Sequence, residues 1–270
     1  MTEPEPTERA GRARREPPRF RHVTVRAVVP VSPRLLRITF TGPDLQGFAV
    51  DEPAASVRLL LPASASEPLV VPTWNGNEFL LPGGTRPTIR TFTPRRVDAE
   101  AAEIDLEAVI HGNGVASGWA ARAQPGAVAA ISGPGRGYTI DADAPAFLLA
   151  GDETAIPAIS QLLGLLPAGT PIQVHIEVGR PDARFALPPH PFATVAWYDL
   201  APAAPPGDAL VAAVRAAPLV PGERVWAAGE AAAMQRIRRY LFEELAKPRA
   251  EATVRGYWKR GRAEGSSAEE

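Results

Sequence analysis

The pattern of the chain changes near its middle, and this change limits the possible folds more than any other feature of the sequence. Before about residue 141, short apolar runs are separated by turn signals roughly every ten residues. From Ala146 onward, a compact apolar strand is followed by a helix, and strands and helices then alternate to about Leu245. We therefore expect an antiparallel sheet first and a parallel sheet with crossover helices second.

The first half contains six or seven candidate strands. They are predicted at residues 20–29, 34–41, 57–61, 78–81, 88–93, 103–110 and 128–132. Short strands at this spacing are typical of an antiparallel barrel, and we predict a six-stranded barrel in a domain of residues 19–141. Residues 1–18 mix Glu, Arg and Pro with almost nothing apolar, so we expect a disordered leader.

The second half has the pattern of an α/β domain, which we predict at residues 146–261. Strands are expected at residues 146–150, 172–178, 192–197 and 224–228, and helices at residues 155–166, 208–217 and 231–245. Parallel sheets of this kind bind nucleotides beyond the carboxyl ends of their strands. Residues 262–270 are polar, and we expect them to form a flexible tail.

The composition argues against several classes of function. The 270 residues carry a formal net charge of -1, which argues against a nucleic-acid partner, and no apolar run has the length of a membrane span. The sequence contains no cysteine, which excludes disulfides, thiolate nucleophiles and protein-bound iron–sulfur clusters. Its four histidines lack the spacing of metal ligands, so we expect no protein-bound metal. We expect a cytoplasmic monomer.

A short run from Arg90 to Arg96 combines a cation, an aromatic ring and hydroxyl groups. In a continuous β-strand, Arg90 and Phe92 share one face, whereas Thr91 and Thr93 share the other. An aromatic face beside hydroxyls suits a flat heterocycle, and a guanidinium suits a phosphate. An ordinary strand end with solvated arginines has the same pattern, so both interpretations remain open for this run.

A glycine-rich segment follows the predicted strand at residues 103–110. Residues 111–120 read His-Gly-Asn-Gly-Val-Ala-Ser-Gly-Trp-Ala, and a short helix is expected to begin within them. Free amide groups at such a helix start, reached through small side chains, suit a pyrophosphate. The alternative is a glycine-rich turn in which Asn113 caps the helix.

Two segments of the second half lie where an α/β sheet is expected to bind a nucleotide. Residues 151–157 follow the first strand of that half and open a helix, and Gly229 and Glu230 follow the strand at 224–228. The first segment lacks the Gly-x-Gly-x-x-Gly fingerprint. It is therefore either a nucleotide or flavin edge site or a capped helix start.

An aromatic pair stands beside two cations near the end of the chain. Tyr257 and Trp258 precede Lys259 and Arg260. The pair is either a surface patch or a lid that stacks on a ring.

Taken in this order, the segments resemble the siderophore-interacting protein family, flavin-dependent ferric-siderophore reductases of the ferredoxin–NADP reductase superfamily. The likeness extends from Phe20 to Gly261. It includes residues 31–39 (Val-Ser-Pro-Arg-Leu-Leu-Arg-Ile-Thr) and residues 133–137 (Gly-Pro-Gly-Arg-Gly). The resemblance implies an FAD-binding β-barrel followed by an NAD(P)H-binding α/β domain.

The resemblance also implies which residues contact the cofactors. Arg90 would bind the FAD phosphates, and Thr93 would lie near the N5 edge of the flavin ring. Tyr257 and Trp258 would approach the ring from the C-terminal side. The implied contacts are Arg90, Thr91, Phe92, Thr93, His111, Asn113, Gly114, Val115, Ala116, Ser117, Asp152, Glu153, Thr154, Ala155, Gly229, Glu230, Tyr257 and Trp258.

The chain departs from the family pattern at a few positions. Phe92 stands where the family usually has Tyr, so one hydrogen bond worth about 1 kcal/mol is lost. Asn113 and Val115 replace the Asp and Pro that the family tends to have. A family histidine expected near Ser56 is absent.

The reaction implied is the reduction of a ferric siderophore, with the flavin carrying the chemistry. A reduced nicotinamide gives hydride to FAD, single electrons then reduce the chelated Fe(III), and Fe(II) is released for iron acquisition. Because many ferric siderophores are anionic, the candidate substrate contacts are Arg95, Arg96, Lys259 and Arg260.

Two points of this function stay open from the sequence. Arg180 and Arg184 would favour NADPH by meeting its 2′-phosphate, whereas Asp182 would favour NADH, and we expect NADPH. The alternatives to a siderophore reductase are a general flavin reductase, a reductase that serves a protein partner, and a siderophore-binding flavoprotein without turnover.

Overall fold

The computed structural model describes residues 19–64, 67–111 and 114–261. The predictions for the leader at residues 1–18, the tail at residues 262–270 and the role of Asn113 lie outside these residues. Among the described residues, no helix is long and apolar enough to cross a bilayer.

The first half of the described chain is a β-structure built on one large antiparallel sheet. Its strands are β1 (Phe20–Ser32), β2 (Leu35–Thr41), β3 (Val57–Leu61), β4 (Thr73–Trp74), β5 (Phe79–Leu80), β6 (Thr88–Phe92), β7 (Pro94–Asp98), β8 (Glu103–Val109) and β9 (Val128–Ser132). Within the described ranges, seven of them form a sheet in the order β6-β3-β9-β1-β2-β8-β7, and β4 pairs with β5 as a separate hairpin. Helix α1 (Val115–Ala120) lies between β8 and β9.

Alternation along the strands separates a core face from an outer face. Ile104 and Leu106 of β8 are almost fully buried in the core of this sheet. The intervening Glu103, Asp105 and Glu107 point to the other side, where arginines of the neighbouring strands cover them. The charged residues of β8 are therefore buried as ion pairs rather than left in the core.

The sheet curls into an open barrel because its two edge strands are adjacent in the chain. Thr93 alone separates β6 from β7, yet Phe92 pairs with Val57 of β3 and Pro94 pairs with Leu106 of β8. Proline has no N–H to donate, so β6 cannot continue its ladder with β3 through Pro94. The run from Arg90 to Arg96 is thus two strands around a corner, and the sheet of the open barrel has seven strands within the described residues, which agrees with the six or seven strands expected from the sequence.

The second half is a five-stranded parallel sheet flanked by helices. Its elements are β10 (Phe147–Asp152), α2 (Ile156–Leu165), β11 (Ile172–Val178), β12 (Ala193–Asp199), α3 (Asp208–Ala216), β13 (Arg224–Glu230), α4 (Ala231–Arg239) and β14 (Ala252–Trp258). The strand order is β12-β11-β10-β13-β14, which reverses direction at β10. Such a switch point leaves a crevice beyond the carboxyl ends of β10 and β13, as predicted for a nucleotide-binding sheet.

Two elements at the end of the sheet differ from the sequence prediction. The helix expected at residues 231–245 becomes a π-helical turn at Tyr240–Glu244, where the Leu245 N–H donates to the Tyr240 carbonyl at 3.0 Å. Ala246 then has a φ of 50° and Pro248 follows, so the helix cannot extend. Tyr257 and Trp258 belong to β14, so they are neither a loose surface patch nor a flexible lid.

Candidate functional site

A large cleft of about 1140 Å³ lies where the barrel edge meets the carboxyl end of the parallel sheet. Both halves of the described chain supply its walls. Its lining residues are Arg34, Arg90, Thr91, Phe92, Glu107, Ala108, Val109, His111, Gly114, Val115, Ala116, Ser117, Gly118, Arg122, Thr154, Tyr257, Trp258, Lys259 and Gly261.

A smaller cleft of about 390 Å³ adjoins the large one. The two clefts share Thr91, Phe92 and Tyr257 as lining residues. The smaller cleft adds Ala54, Ser56, Thr93, Arg238, Arg255 and Gly256. One aromatic and hydroxyl-bearing boundary therefore separates two sites, and a group held at this boundary can be reached from both.

The barrel corner and strand β14 meet at that boundary. Thr93 is 6% exposed, and its hydroxyl lies 3.4 Å from the hydroxyl of Tyr257. Burial raises the pKa of the Tyr257 phenol, and the hydrogen bond to Thr93 opposes this rise without cancelling it. Tyr257 is therefore a neutral hydroxyl at physiological pH, able to donate or to accept a hydrogen bond.

The glycine-rich segment forms one end of the large cleft, and Ser117 holds its shape. The Ser117 hydroxyl donates to the His111 carbonyl at 2.6 Å and accepts from the His111 N–H at 2.8 Å. A Cβ at Gly114 would lie 2.8 Å from the His111 ring, so the ring would have to move to admit a side chain there. The predicted residues of this segment that the structure describes line the cleft, but the hydroxyl of Ser117 is occupied by the backbone.

The opposite wall depends on a buried carboxylate, that of Asp152. It accepts from the Trp258 indole N–H at 2.7 Å, from the Glu230 N–H at 3.0 Å and from both the backbone and the hydroxyl of Thr154. Burial raises the pKa of this carboxyl group, and the four donors oppose the rise. Asp152 does not line either cleft; it holds Trp258 and Thr154, which do.

Four other predicted cofactor contacts have structural roles next to the cleft. The Glu153 carboxylate accepts hydrogen bonds from two guanidinium nitrogens of Arg34, at 2.7 and 2.8 Å. Ala155 is fully buried and packs against Gly151. Glu230 caps α4 by accepting from the N–H groups of its first turn. Gly229 lies against Asp152, where a Cβ would be 2.7 Å from the carboxylate oxygen. None of these four residues lines either cleft, because the residues around them bury or bind them.

The four predicted substrate contacts separate in the structure. Lys259 is exposed and lines the large cleft. Arg96 binds Asp98, Glu103 and Asp105 on the outer face of the barrel, and neither it nor Arg95 or Arg260 lines a cleft. For Arg95 and Arg96, the reason is the corner at Thr93, which turns β7 away from the cleft.

Several cleft residues were missed by sequence reasoning. Arg34, Glu107 and Arg122 line the large cleft, and Arg238 and Arg255 line the small one. These residues lie on β8, β14, α4 and two turns, and only the fold brings them together. Arg34 lies within the segment that carries the family resemblance, which is the one signal that marked it.

The chemistry of the large cleft fits FAD. Arg90, Arg122 and Lys259 supply cations for a pyrophosphate, and the small residues around Gly114 leave its backbone accessible. Phe92, Tyr257 and Trp258 supply aromatic surface for a flat ring. An open antiparallel barrel joined to a parallel five-stranded sheet, with this cleft between them, defines a flavoprotein of the ferredoxin–NADP reductase type.

Comparison with known proteins identifies the family. Residues 24–138 match the siderophore-interacting FAD-binding domain, and residues 144–261 match the siderophore-interacting protein family. The chain therefore belongs to the siderophore-interacting proteins, and it binds FAD.

Individual relatives share most of their length with this chain. The chain is 41% identical to an uncharacterised protein of Mycobacterium tuberculosis, over 68% of this chain and 69% of the relative. It is 31% identical to the ferric vibriobactin reductase ViuB of Vibrio cholerae, over 89% of each. The crystal structure of a siderophore utilization protein from T. fusca aligns with a TM-score of 0.81 at 32% identity, covering 92% of this chain and 95% of that chain.

Proposed function

We propose that the protein is an FAD-dependent ferric-siderophore reductase that takes its electrons from a reduced nicotinamide nucleotide. The observation that carries the proposal is the pair of clefts that meet at Thr91, Phe92 and Tyr257. This arrangement gives a two-electron donor and a chelated metal separate access to one flavin. The similarity to the ferric vibriobactin reductase of Vibrio cholerae supports the same chemistry.

Bound FAD would supply the redox chemistry, by accepting hydride from the nicotinamide and passing single electrons to ferric iron. In the balanced reaction, one NAD(P)H and two Fe(III) give NAD(P)⁺, one proton and two Fe(II). Oxygen donors of a siderophore hold the harder Fe(III) more strongly than Fe(II), so reduction itself releases the metal.

The residues of the chain would bind and orient the cofactor. Arg90 and Arg122 would pair with the pyrophosphate, and the ring of Phe92 would pack on the flavin. Tyr257 would cover the ring from the other half of the molecule, held in place by its hydrogen bond with Thr93. The one proton of the balanced reaction would be released to solvent after both electrons have passed to iron, and we assign no side chain to its release.

The nicotinamide nucleotide would bind beyond the carboxyl ends of β10 and β11. Thr154 follows β10 and lines the large cleft. Arg180 follows β11 and is paired with Asp182 at 2.6 Å, and Arg184 is paired with Asp199. We propose NADPH as the donor, with its 2′-phosphate competing with Asp182 for Arg180; NADH would bind without displacing this pair.

The ferric siderophore would approach through the smaller cleft. Arg238 and Arg255 line it. These cations would attract an anionic chelate. None of the four substrate contacts expected from the sequence lines this smaller cleft. Lys259 lines the large cleft, and three carboxylates bind Arg96 on the outer face of the barrel.

Steady-state rates with different electron acceptors test this function. The FAD-loaded protein is supplied with NADPH or NADH and offered a catecholate ferric siderophore, a hydroxamate ferric siderophore, free flavin or ferredoxin, with a chelator that reports Fe(II). We expect Fe(II) to form with a ferric siderophore at a higher kcat/KM than for free flavin or ferredoxin. A higher kcat/KM for free flavin or ferredoxin contradicts the proposal, and siderophore binding without Fe(II) identifies a binding protein.

A further inference from the structure

One helix side chain joins the two halves of the molecule close to the clefts. Gln161 lies on α2, in the α/β half, and its side-chain amide contacts two backbone groups of the barrel half. Its Oε1 accepts from the Ala54 N–H at 2.8 Å, and its Nε2 donates to the Pro94 carbonyl at 2.6 Å. Both the oxygen and the nitrogen of the side-chain amide thus form hydrogen bonds from one half to the other, and each has a partner of the matching type.

The first partner, Ala54, is held tightly by the α/β half. It is 1% exposed and packs in the same hydrophobic cluster as the residues of β10 and α2. Its φ is 52°, a left-handed conformation that is unfavourable for a residue with a Cβ. Gln161 satisfies its N–H, and Arg255 of β14 donates to its carbonyl at 3.2 Å. Two side chains of one half therefore satisfy both backbone groups of a single residue of the other.

The second partner, Pro94, forms the barrel corner. It directly follows Thr93, which lines the smaller cleft and contacts the hydroxyl of Tyr257. A shift of the corner moves Thr93 relative to Tyr257, and these residues come from different halves. Gln161 therefore fixes the corner against the sheet that carries Tyr257.

We infer that Gln161 is a positioning residue, which sets the distance between the flavin-binding corner of the barrel and the nucleotide-binding edge of the parallel sheet. The inference rests on the proposed function for its kinetic consequence. Hydride transfer needs reacting atoms about 3–3.5 Å apart, and a misplacement of about 1 Å lowers the rate by roughly 100-fold. A residue that holds the two halves in register therefore acts on the transfer step without touching either cofactor.

Two substitutions disrupt the hydrogen bonds of Gln161 to Ala54 and Pro94 in different ways. Gln161→Glu keeps an acceptor for Ala54 but places an oxygen against the Pro94 carbonyl, whereas Gln161→Met keeps the length and removes both hydrogen bonds. The matched control is Gln173→Met on β11. The Gln173 amide donates to the Pro218 carbonyl at 3.1 Å and to Glu223, both within the α/β half. The control therefore loses an amide of the same kind without a change at the boundary.

The first measurement is made on the apoprotein and does not depend on activity. The sequence has no cysteine, so cysteines placed at the exposed positions Val128 and Val220 carry one spin label on each half. Pulsed electron–electron double resonance then gives the distribution of distances between the two spin labels, one on each half. We expect it to broaden or shift in both Gln161 variants and to stay unchanged in Gln173→Met. An unchanged distribution in both Gln161 variants overturns the inference.

The second measurement is the reduction of the FAD-loaded protein by NADPH in stopped flow. We expect the limiting rate constant of both Gln161 variants to fall by about 10- to 100-fold, with the Kd of NADPH and the retention of FAD within about twofold of the unsubstituted protein. An unchanged rate constant overturns the inference, as does a loss that lies wholly in the Kd. If the unsubstituted protein is not reduced by NADPH or NADH, the proposed function fails, and the spin-label distances alone decide whether Gln161 is accepted or rejected.

Discussion

At the scale of single residues, the large cleft is lined by cations of the barrel half that would bind a phosphate in the proposed function. Arg90 lies on β6, the edge strand that leads into the corner at Thr93. It stands beside Phe92 in the cleft lining, so one short strand presents both a charge and a ring. The sequence of β6 led to the prediction that this strand binds a flavin nucleotide, and substitution of Arg90 tests this prediction.

Substitution of Arg90 by Ala is expected to weaken the binding of FAD by about 10- to 100-fold. The reason is the loss of charge-assisted hydrogen bonds, which contribute about 1.5–3 kcal/mol each. The measurement is a titration of the apoprotein with FAD, followed by the change in flavin fluorescence. Arg26→Ala is the control, because Arg26 pairs with Glu103 and does not line either cleft. Equal FAD affinity in the Arg90 and Arg26 variants would remove Arg90 from the site.

His175 gives a pH dependence at the same scale. Its Nδ1 lies 2.9 Å from the Tyr198 hydroxyl, and its Nε2 is buried without a hydrogen-bond partner among the described residues. Burial lowers the pKa of this imidazole below its ordinary value of about 6.5. The folded state therefore disfavours the proton, so the stability contributed at this site is present above about pH 6.5 and falls as the pH drops towards the lowered pKa.

The expected result is that His175→Gln makes the protein less sensitive to mild acid. Between pH 7.5 and pH 5.5, the Tm of the unsubstituted protein should fall by roughly 1–3 °C more than that of the variant. Thermal unfolding followed by circular dichroism at both pH values measures the difference. Equal falls in Tm for the two proteins would show that the pKa of His175 does not differ between the folded and the unfolded state.

At the scale of elements, an ion pair connects a turn of the barrel half to a strand end of the α/β half. The Arg34–Glu153 pair joins the turn between β1 and β2 to the end of β10, and the Arg34 guanidinium lies against Gly179 after β11. The hydrogen bond to Glu153 raises the pKa of Arg34, with burial acting in the opposite direction. The side chains of Arg34 and Glu153 are only 22% and 11% exposed, so water screens this pair weakly.

A double-mutant cycle is expected to show strong coupling for this pair. With Arg34→Met and Glu153→Gln, the coupling free energy from urea unfolding should be about 1.5–3 kcal/mol. The Arg180–Asp182 pair is the control, because its side chains are 62% and 44% exposed and exposed pairs contribute about 0–1 kcal/mol. Similar coupling energies for the two pairs would contradict a structural role for Arg34 between the halves.

The elements also show how far the sequence determines the prediction. Strand β11 was predicted at its observed bounds, because a compact apolar run between turn signals has few alternatives. Strand β7 was missed, because its run of Pro, Arg and Asp has no apolar alternation and becomes a strand only by pairing with β8. Strand β14 was missed although its residues alternate, because the aromatic pair within it was interpreted by its chemistry alone.

The residues of the candidate site also fall into those that the sequence predicted and those that it missed. Residues that follow one another in a single segment, such as those of β6 and the glycine-rich loop, were predicted together. The smaller cleft was not predicted, because Ala54, Arg238 and Arg255 come from distant segments and meet only through tertiary packing. Asp152 was expected at a cofactor, but its hydrogen bonds show that it holds the wall instead.

At the scale of the whole molecule, polar side chains hold the antiparallel sheet of the first half against the parallel sheet of the second half. Gln161, Arg34 and Arg255 each cross from one half to the other and bond there. Tyr257 lines both clefts at this boundary. In the proposed function, the electron donor and the chelated iron would reach the same flavin through different clefts, and this is its central claim.

Anaerobic reduction and reoxidation of the FAD-loaded protein tests that claim most directly. Addition of NADPH, or of NADH in a parallel experiment, is expected to bleach the visible absorbance of the flavin. A ferric siderophore added in excess, still without oxygen, is expected to restore the absorbance while two Fe(II) form for each NAD(P)H consumed. A flavin that neither nucleotide bleaches, or that stays bleached in the presence of every ferric siderophore offered, would contradict the account.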